Sequence, residues 1–149
     1  MRPIGFVVGG RAEAVDDHWG PVEATIELER AVLGPDATAG LAEFSHIEVV
    51  FCFDRVTEDE ITRGARRPRG RVDWPEVGIL AQRAKSRPNR IGVSVCELLG
   101  VDGLTLRVRG LDAVAGSPVL DVKPYVAAFG PRGVIRQPAW VEELMRDYW

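Results

Sequence analysis

A chain of 149 residues with 46% apolar and 28% charged side chains fits one globular domain that buries its own core, and excludes a disordered or fibrous polymer. The net charge of −3 argues against nucleic-acid binding driven by the whole surface. No run approaches the ~20 apolar residues that cross a bilayer, and Met1-Arg2-Pro3-Ile4-Gly5 opens without a signal-peptide core, so a cytoplasmic protein with no membrane contact is expected.

Short alternating runs dominate the chain. Ile4-Gly5-Phe6-Val7-Val8 predicts a strand that ends at Gly9-Gly10. From Val22 to Leu28, Val22, Ala24, Ile26 and Leu28 share one face, and Glu23, Thr25 and Glu27 the other. Ala39 to Glu43 is read as one helical turn. Ile47, Val49, Phe51 and Phe53 mark a third strand, Ile79-Leu80-Ala81 a short fourth, and Ile91, Val93 and Val95 a fifth. Gly100-Val101-Asp102-Gly103 carries hairpin-turn chemistry. After it, Leu104, Leu106 and Val108 alternate with Thr105, Arg107 and Arg109. A last strand, Val119 to Val122, is cut off by Pro124. From Pro138 to Tyr148 the period changes to that of a helix, with Trp140, Val141, Leu144, Met145 and Tyr148 in one apolar stripe. That stripe fits a helix docked on the rest of the protein or a dimer contact.

Many short strands, Gly/Pro turns and one terminal helix predict an all-β fold: a small antiparallel β-barrel with a short C-terminal helix, in one domain spanning 1–149. Strands and helices do not alternate as in a dinucleotide-binding domain, and no G-x-G-x-x-G follows the first strand. Cys52 and Cys96 lie in apolar runs without zinc-site spacing and read as reduced core thiols. His18 and His46 stand alone, so no metal is expected. Ser45 and Ser94 lack a G-x-S-x-G setting, which speaks against a serine hydrolase.

Three segments are richer in polar groups than a plain barrel requires. Arg83-Ala84-Lys85-Ser86-Arg87-Pro88-Asn89-Arg90-Ile91-Gly92 is a basic loop feeding a strand. It is either solvated or presents guanidinium groups to a carboxylate or phosphate. Leu111 to Pro118 reads as a hairpin connection that carries Asp112. In Asp121-Val122-Lys123-Pro124-Tyr125, extended backbone sets Asp121, Lys123 and Tyr125 on one face, opposite Leu120 and Val122. Those three groups fit either proton-transfer chemistry or a structural ion pair beside a hydrogen-bonded tyrosine. Arg63, Arg66, Arg67, Arg69 and Arg71 crowd together, as a local phosphate-binding patch or as a solvated loop.

Taken together, Arg2-Pro3-Ile4-Gly5, Phe44-Ser45-His46-Ile47, Arg87-Pro88-Asn89-Arg90-Ile91-Gly92 and Ser117-Pro118-Val119-Leu120-Asp121-Val122-Lys123-Pro124-Tyr125 resemble the TrmO/TsaA-like methyltransferase family. The segment from Pro138-Ala139-Trp140 to Tyr148-Trp149 is similar to the ending of its short forms. The resemblance implies a mostly antiparallel barrel, a homodimer with the cofactor near the subunit interface, and S-adenosylmethionine as cofactor. The implied activity is N6-methylation of N6-threonylcarbamoyladenosine beside the tRNA anticodon.

Position by position, the resemblance implies cofactor contacts at Trp19, Gly20, Pro21, Asp54, Arg55, Arg83, Val93, Leu111, Asp112, Ala113 and Val114. It implies substrate contacts at Arg87 and Asn89, and catalytic roles for Asp121, Lys123 and Tyr125. Asp121 or Tyr125 would accept the N6 proton, with Lys123 lowering the phenol's pKa. Asp54 departs from the family, which often has a histidine there. With the short length, this keeps two further readings open: methylation of a small metabolite or modified nucleoside, or a non-catalytic S-adenosylmethionine-binding dimer.

Overall fold

The computed structural model describes residues 1–149. Its frame is a closed antiparallel barrel of six strands: β1 (Gly5–Val7), β2 (Glu23–Leu28), β3 (His46–Cys52), β6 (Ile91–Asp102), β7 (Thr105–Arg109) and β8 (Pro118–Pro124). Around the barrel the order is β1-β2-β7-β6-β3-β8, closing β8 back onto β1. Closure removes every edge from the sheet, so the short β1 is paired on both sides. The remaining strands, β4 (Ala65–Arg66) and β5 (Val77–Gly78), form a separate two-stranded ladder.

Alternation works as the sequence predicts. Ala24, Ile26 and Leu28 of β2 point inward; so do Ile47, Val49 and Phe51 of β3, and Leu106 and Val108 of β7. With Val7, Leu111 and Val119 these fill the barrel. Burying each large apolar side chain contributes about 1.5–3 kcal/mol, which is why this pattern fixes the strand faces. Gly92 lies opposite Phe51 in the β3–β6 register, and a Cβ there would stand 2.4 Å from the ring of Phe51. Only glycine lets the ring lie flat on the neighbouring strand.

Several elements differ from expectation. Ile79–Ala81 is a 3-10 turn, not a fourth strand: Ile79 is buried while Leu80 is 80% exposed. A single apolar anchor suffices to hold a turn on the barrel, and the strand pairing falls on Val77–Gly78 instead. The fifth predicted strand continues to Asp102. Its first half pairs with β3 and its second half with β7, with a register shift between Leu98 and Gly100 where it curves. In β8 a bulge opposite Val50 and Phe51 inserts Leu120. Val119 and Val122 therefore pack on the core, and Leu120 leaves the face it would share with Val122 in a regular strand.

After Pro124 the chain leaves the barrel. Phe129, Val134 and Ile135 of this arm are 91%, 92% and 67% exposed. The terminal helix, α1 (Ala139–Met145), is shorter than predicted, with Pro138 as its N-cap. It docks on the loop between β4 and β5. Trp140 packs against Trp74 with ring centroids 6.1 Å apart, and the Trp74 indole N–H donates to Glu143 at 2.9 Å.

Candidate active site

Sheet register builds the first part of the site. Asp121 of β8 pairs with Val50 of β3, and Val50 with Val93 of β6. One step along, Lys123 pairs with Glu48, and Glu48 with Val95. All six side chains face outward, because their neighbours Ile47, Val49, Ser94 and Cys96 point into the barrel. From the loop before β6, Arg83 donates to the Val93 carbonyl at 2.5 Å. β8 thus places a carboxylate and an ammonium on one wall, beside the Glu48 carboxylate of β3.

On that wall Asp121 accepts the Val122 N–H at 2.9 Å and the Lys123 ammonium. The hydrogen bond to Asp121, then its charge, raises the Lys123 pKa, with Glu48 adding to the effect. Lys123 is therefore a fixed cation at neutral pH. Tyr125 hangs where the chain departs: its backbone N–H donates to His46 at 3.0 Å, and its hydroxyl lies beside Gly130. The structure brings Asp121 and Lys123 into direct contact and directs the phenol toward the arm.

The second part closes one end of the barrel. Leu111 and Ala113 are buried, and Asp112 between them is half-buried. The Asp112 carboxylate accepts two hydroxyls, Ser94 on one oxygen and Tyr148 on the other. Burial, followed by the Asp112 charge, pushes the Tyr148 phenol far above its usual range, while Arg83 and Arg69 pull the other way. Tyr148 is thus a neutral donor, and Arg83 belongs to its surroundings. Val114 is half-buried, and the next residue, Ala115, is tied down by Arg55, which donates to Ala115 at 2.9 Å and to Ala12 at 2.8 Å.

The Trp19 segment lies against the same end. The Trp19 ring is buried under the Arg11 guanidinium, 4.5 Å from its centroid. Arg11 also donates to the carbonyls of Asp17 and His18 at 2.8 and 2.7 Å. His18 and Trp19 N–H donate to Asp147 and Tyr148 carbonyls, each at 2.8 Å. Gly20 packs so closely on this segment that a Cβ would stand 2.7 Å from the Trp149 backbone. Pro21, next in the chain, is exposed, and so is Asp54 after β3.

Arg87 holds its loop together, donating to Ile79 at 3.0 Å and Gln82 at 2.5 Å, and Asn89 stands exposed at the loop's tip. Three of the five clustered arginines are ion-paired. Arg63 meets Glu58 at 2.7 Å, Arg69 grips Asp17 with contacts of 2.9 and 2.6 Å, and Arg71 pairs with Asp73 over the Trp74 ring. Sequence reasoning missed Tyr148 and Ser94 as partners of Asp112. Tyr148 reads as part of a helical stripe, and Ser94 as a serine without a hydrolase setting. The inward phase of Ser94 on β6 is the one signal that marks it as a buried polar group needing a partner.

Comparison with known proteins gives the family and the fold. Residues 17–130 match the family model described as the tRNA-methyltransferase O N-terminal domain. A probable S-adenosyl-L-methionine-binding protein of Methanothermobacter thermautotrophicus is 44% identical over 132 residues, 84% of this chain and 88% of that protein. The human tRNA (adenine(37)-N6)-methyltransferase is 31% identical over 99 residues, 66% of this chain and 22% of that enzyme. A crystal structure of TrmO superposes with a TM-score of 0.74 at 31% identity, covering 91% of this chain and 61% of that one. The chain thus spans most of the archaeal protein but a minor part of the human enzyme. With a six-stranded barrel that follows TrmO and a family match over most of its length, the chain belongs to the tRNA-methyltransferase O N-terminal domain family.

Proposed function

We propose that this chain binds S-adenosylmethionine and transfers its methyl group to N6 of an adenine in tRNA. The acceptor implied by the motifs is N6-threonylcarbamoyladenosine beside the anticodon. Family membership and the printed names of the archaeal and human relatives support the cofactor and the tRNA adenine. The observation that carries the reading is that adjacent residues of β6 hold both charged groups: the Val93 carbonyl accepts from Arg83, and the Ser94 hydroxyl donates to Asp112. This donor set fits the cofactor, which carries both a cation and a carboxylate: Asp112 offers an anion and Arg83 a guanidinium.

When bound, S-adenosylmethionine supplies a methyl group activated by a sulfonium. The protein's task is alignment and proton management. Arg83 holds the cofactor carboxylate, Asp112 the cationic end, and the packed Trp19-Gly20 segment shapes the floor. Asp121 accepts the N6 proton of the urea-like acceptor, and the contact with Lys123 orients the Asp121 carboxylate. Arg87 and Asn89 orient the acceptor at the loop before β6, and Tyr125 lines the side toward the arm.

The working form is a homodimer in the cytoplasm. Phe129, Val134 and Ile135 on the arm are almost bare, and large apolar side chains so exposed call for a covering surface. No helix is long and apolar enough to cross a membrane, and no group of metal-ligating side chains is assembled. One observation favours a second reading, a small methyl acceptor: the arginines best placed to meet phosphate are already paired within the chain. Incubation with methyl-labelled cofactor and total tRNA, then with a metabolite extract, decides between them. Label in N6-threonylcarbamoyladenosine supports the first reading, and label in a small product the second. Binding without transfer leaves a non-catalytic cofactor-binding protein.

A further inference from the structure

Residues 131–149 lie outside the part of the chain that matches the family model, yet they reach the cofactor end of the barrel. The segment after α1 is held there at several points. Its backbone forms two hydrogen bonds with His18 and Trp19, Trp149 covers Gly20, and the Trp149 ring meets the Tyr148 ring edge-on at 4.9 Å. α1 is itself anchored through Trp140 and Glu143 on Trp74. These contacts deliver the Tyr148 hydroxyl to Asp112, opposite the hydroxyl of Ser94.

A carboxylate offers about four acceptor sites. The two hydroxyls occupy one on each oxygen of Asp112, fixing the plane of the group and leaving the other sites available to a ligand. We propose that Tyr148 is a positioning residue of the cofactor site, holding the Asp112 carboxylate in the orientation in which it takes hydrogen bonds from S-adenosylmethionine. The inference rests on the reading that Asp112 contacts the cofactor. It adds a contribution from a segment outside the family domain.

The test is a double-mutant cycle read by calorimetric Kd for S-adenosylmethionine and by steady-state kinetics. Tyr148→Phe keeps the ring and its packing and removes only the hydroxyl. It should weaken cofactor binding by about tenfold, the size of one hydrogen bond to a charged group. KM for the cofactor should rise in parallel while kcat changes little. Asp112→Asn should weaken binding at least as much. In the Asp112→Asn background, Tyr148→Phe should then change Kd by less than about twofold, because it acts through the carboxylate. Ser94→Ala, which leaves the tail untouched, should show the same dependence on Asp112. Additive losses would mean that Tyr148 acts through the fold alone and would overturn the inference. So would an unchanged Kd in Tyr148→Phe while Asp112→Asn binds weakly, and in that case the cofactor reading stands. If Asp112→Asn binds as tightly as the parent, or the parent binds no cofactor, the underlying reading fails and takes the inference with it.

Discussion

Gly92→Ala tests the packing that sets the site. Gly92 ends the Arg-Pro-Asn-x-Ile-Gly motif, and the structure sets it against the Phe51 ring. A Cβ at residue 92 would lie 2.4, 2.6 and 2.8 Å from three atoms of the Phe51 ring, well inside any van der Waals distance. Phe51 is fully buried and meets Phe53 edge-on at 5.0 Å, so the ring has little room to retreat. Overpacking of this kind costs about 1–3 kcal/mol. For a domain of this size each kcal/mol lowers Tm by about 2–4 °C. Gly92→Ala should therefore melt about 2–12 °C below the parent in a calorimetric scan. Because Val93 follows directly and carries the Arg83 contact, cofactor affinity should fall as well. Phe51→Leu alone removes buried ring area and also destabilises, but it vacates the space that the new methyl needs. The double variant Gly92→Ala/Phe51→Leu should then be more stable than the sum of the single effects, by about 1 kcal/mol or more. Strict additivity, or an unshifted Tm in Gly92→Ala, would refute the argument that Phe51 dictates this glycine.

The remaining predictions follow the same geometry. Gly20→Ala places a Cβ 2.7 Å from the Trp149 backbone; it should displace the tail and speed hydrogen exchange of the His18 and Trp19 amides at least tenfold. Arg69 lowers the Asp17 pKa, chiefly through its hydrogen bond. Because the folded value lies below the unfolded one, the pair's contribution is complete above about pH 4 and is lost as pH falls through the folded value. Asp17→Asn should thus cost about 1 kcal/mol at pH 7 and progressively less below pH 4, as read by urea unfolding. Burial pushes the Cys96 thiol up to about 12, so iodoacetamide at pH 8 should label it only after denaturation. Asp121→Asn should cut kcat by about 10²-fold or more while cofactor Kd stays within about twofold; equal loss of both would place Asp121 in the cofactor pocket instead.

Much of the barrel was legible in the chain because a period of two is a direct imprint of one buried face. Glu23–Leu28 and Thr105–Arg109 alternate so regularly that no other element fits, and both are strands with those faces inward. The weaker signals misled where a single residue carried the burial. Ile79-Leu80-Ala81 has strand composition, but only Ile79 is anchored, so it turns. The Leu120 bulge left no mark in composition, because a bulge is a property of two strands in register.

The sequence by itself determined the fold class and most of the strand faces. These follow from local pattern, since hydrophobic period and turn residues act over a few neighbours. Only the tertiary structure decided who meets whom: Asp121 with Val50, Arg69 with Asp17, and Tyr148 with Asp112 across a separation of 36 residues. Such pairings depend on barrel closure and strand register, which arise from the packing of the whole core and are written in no single segment.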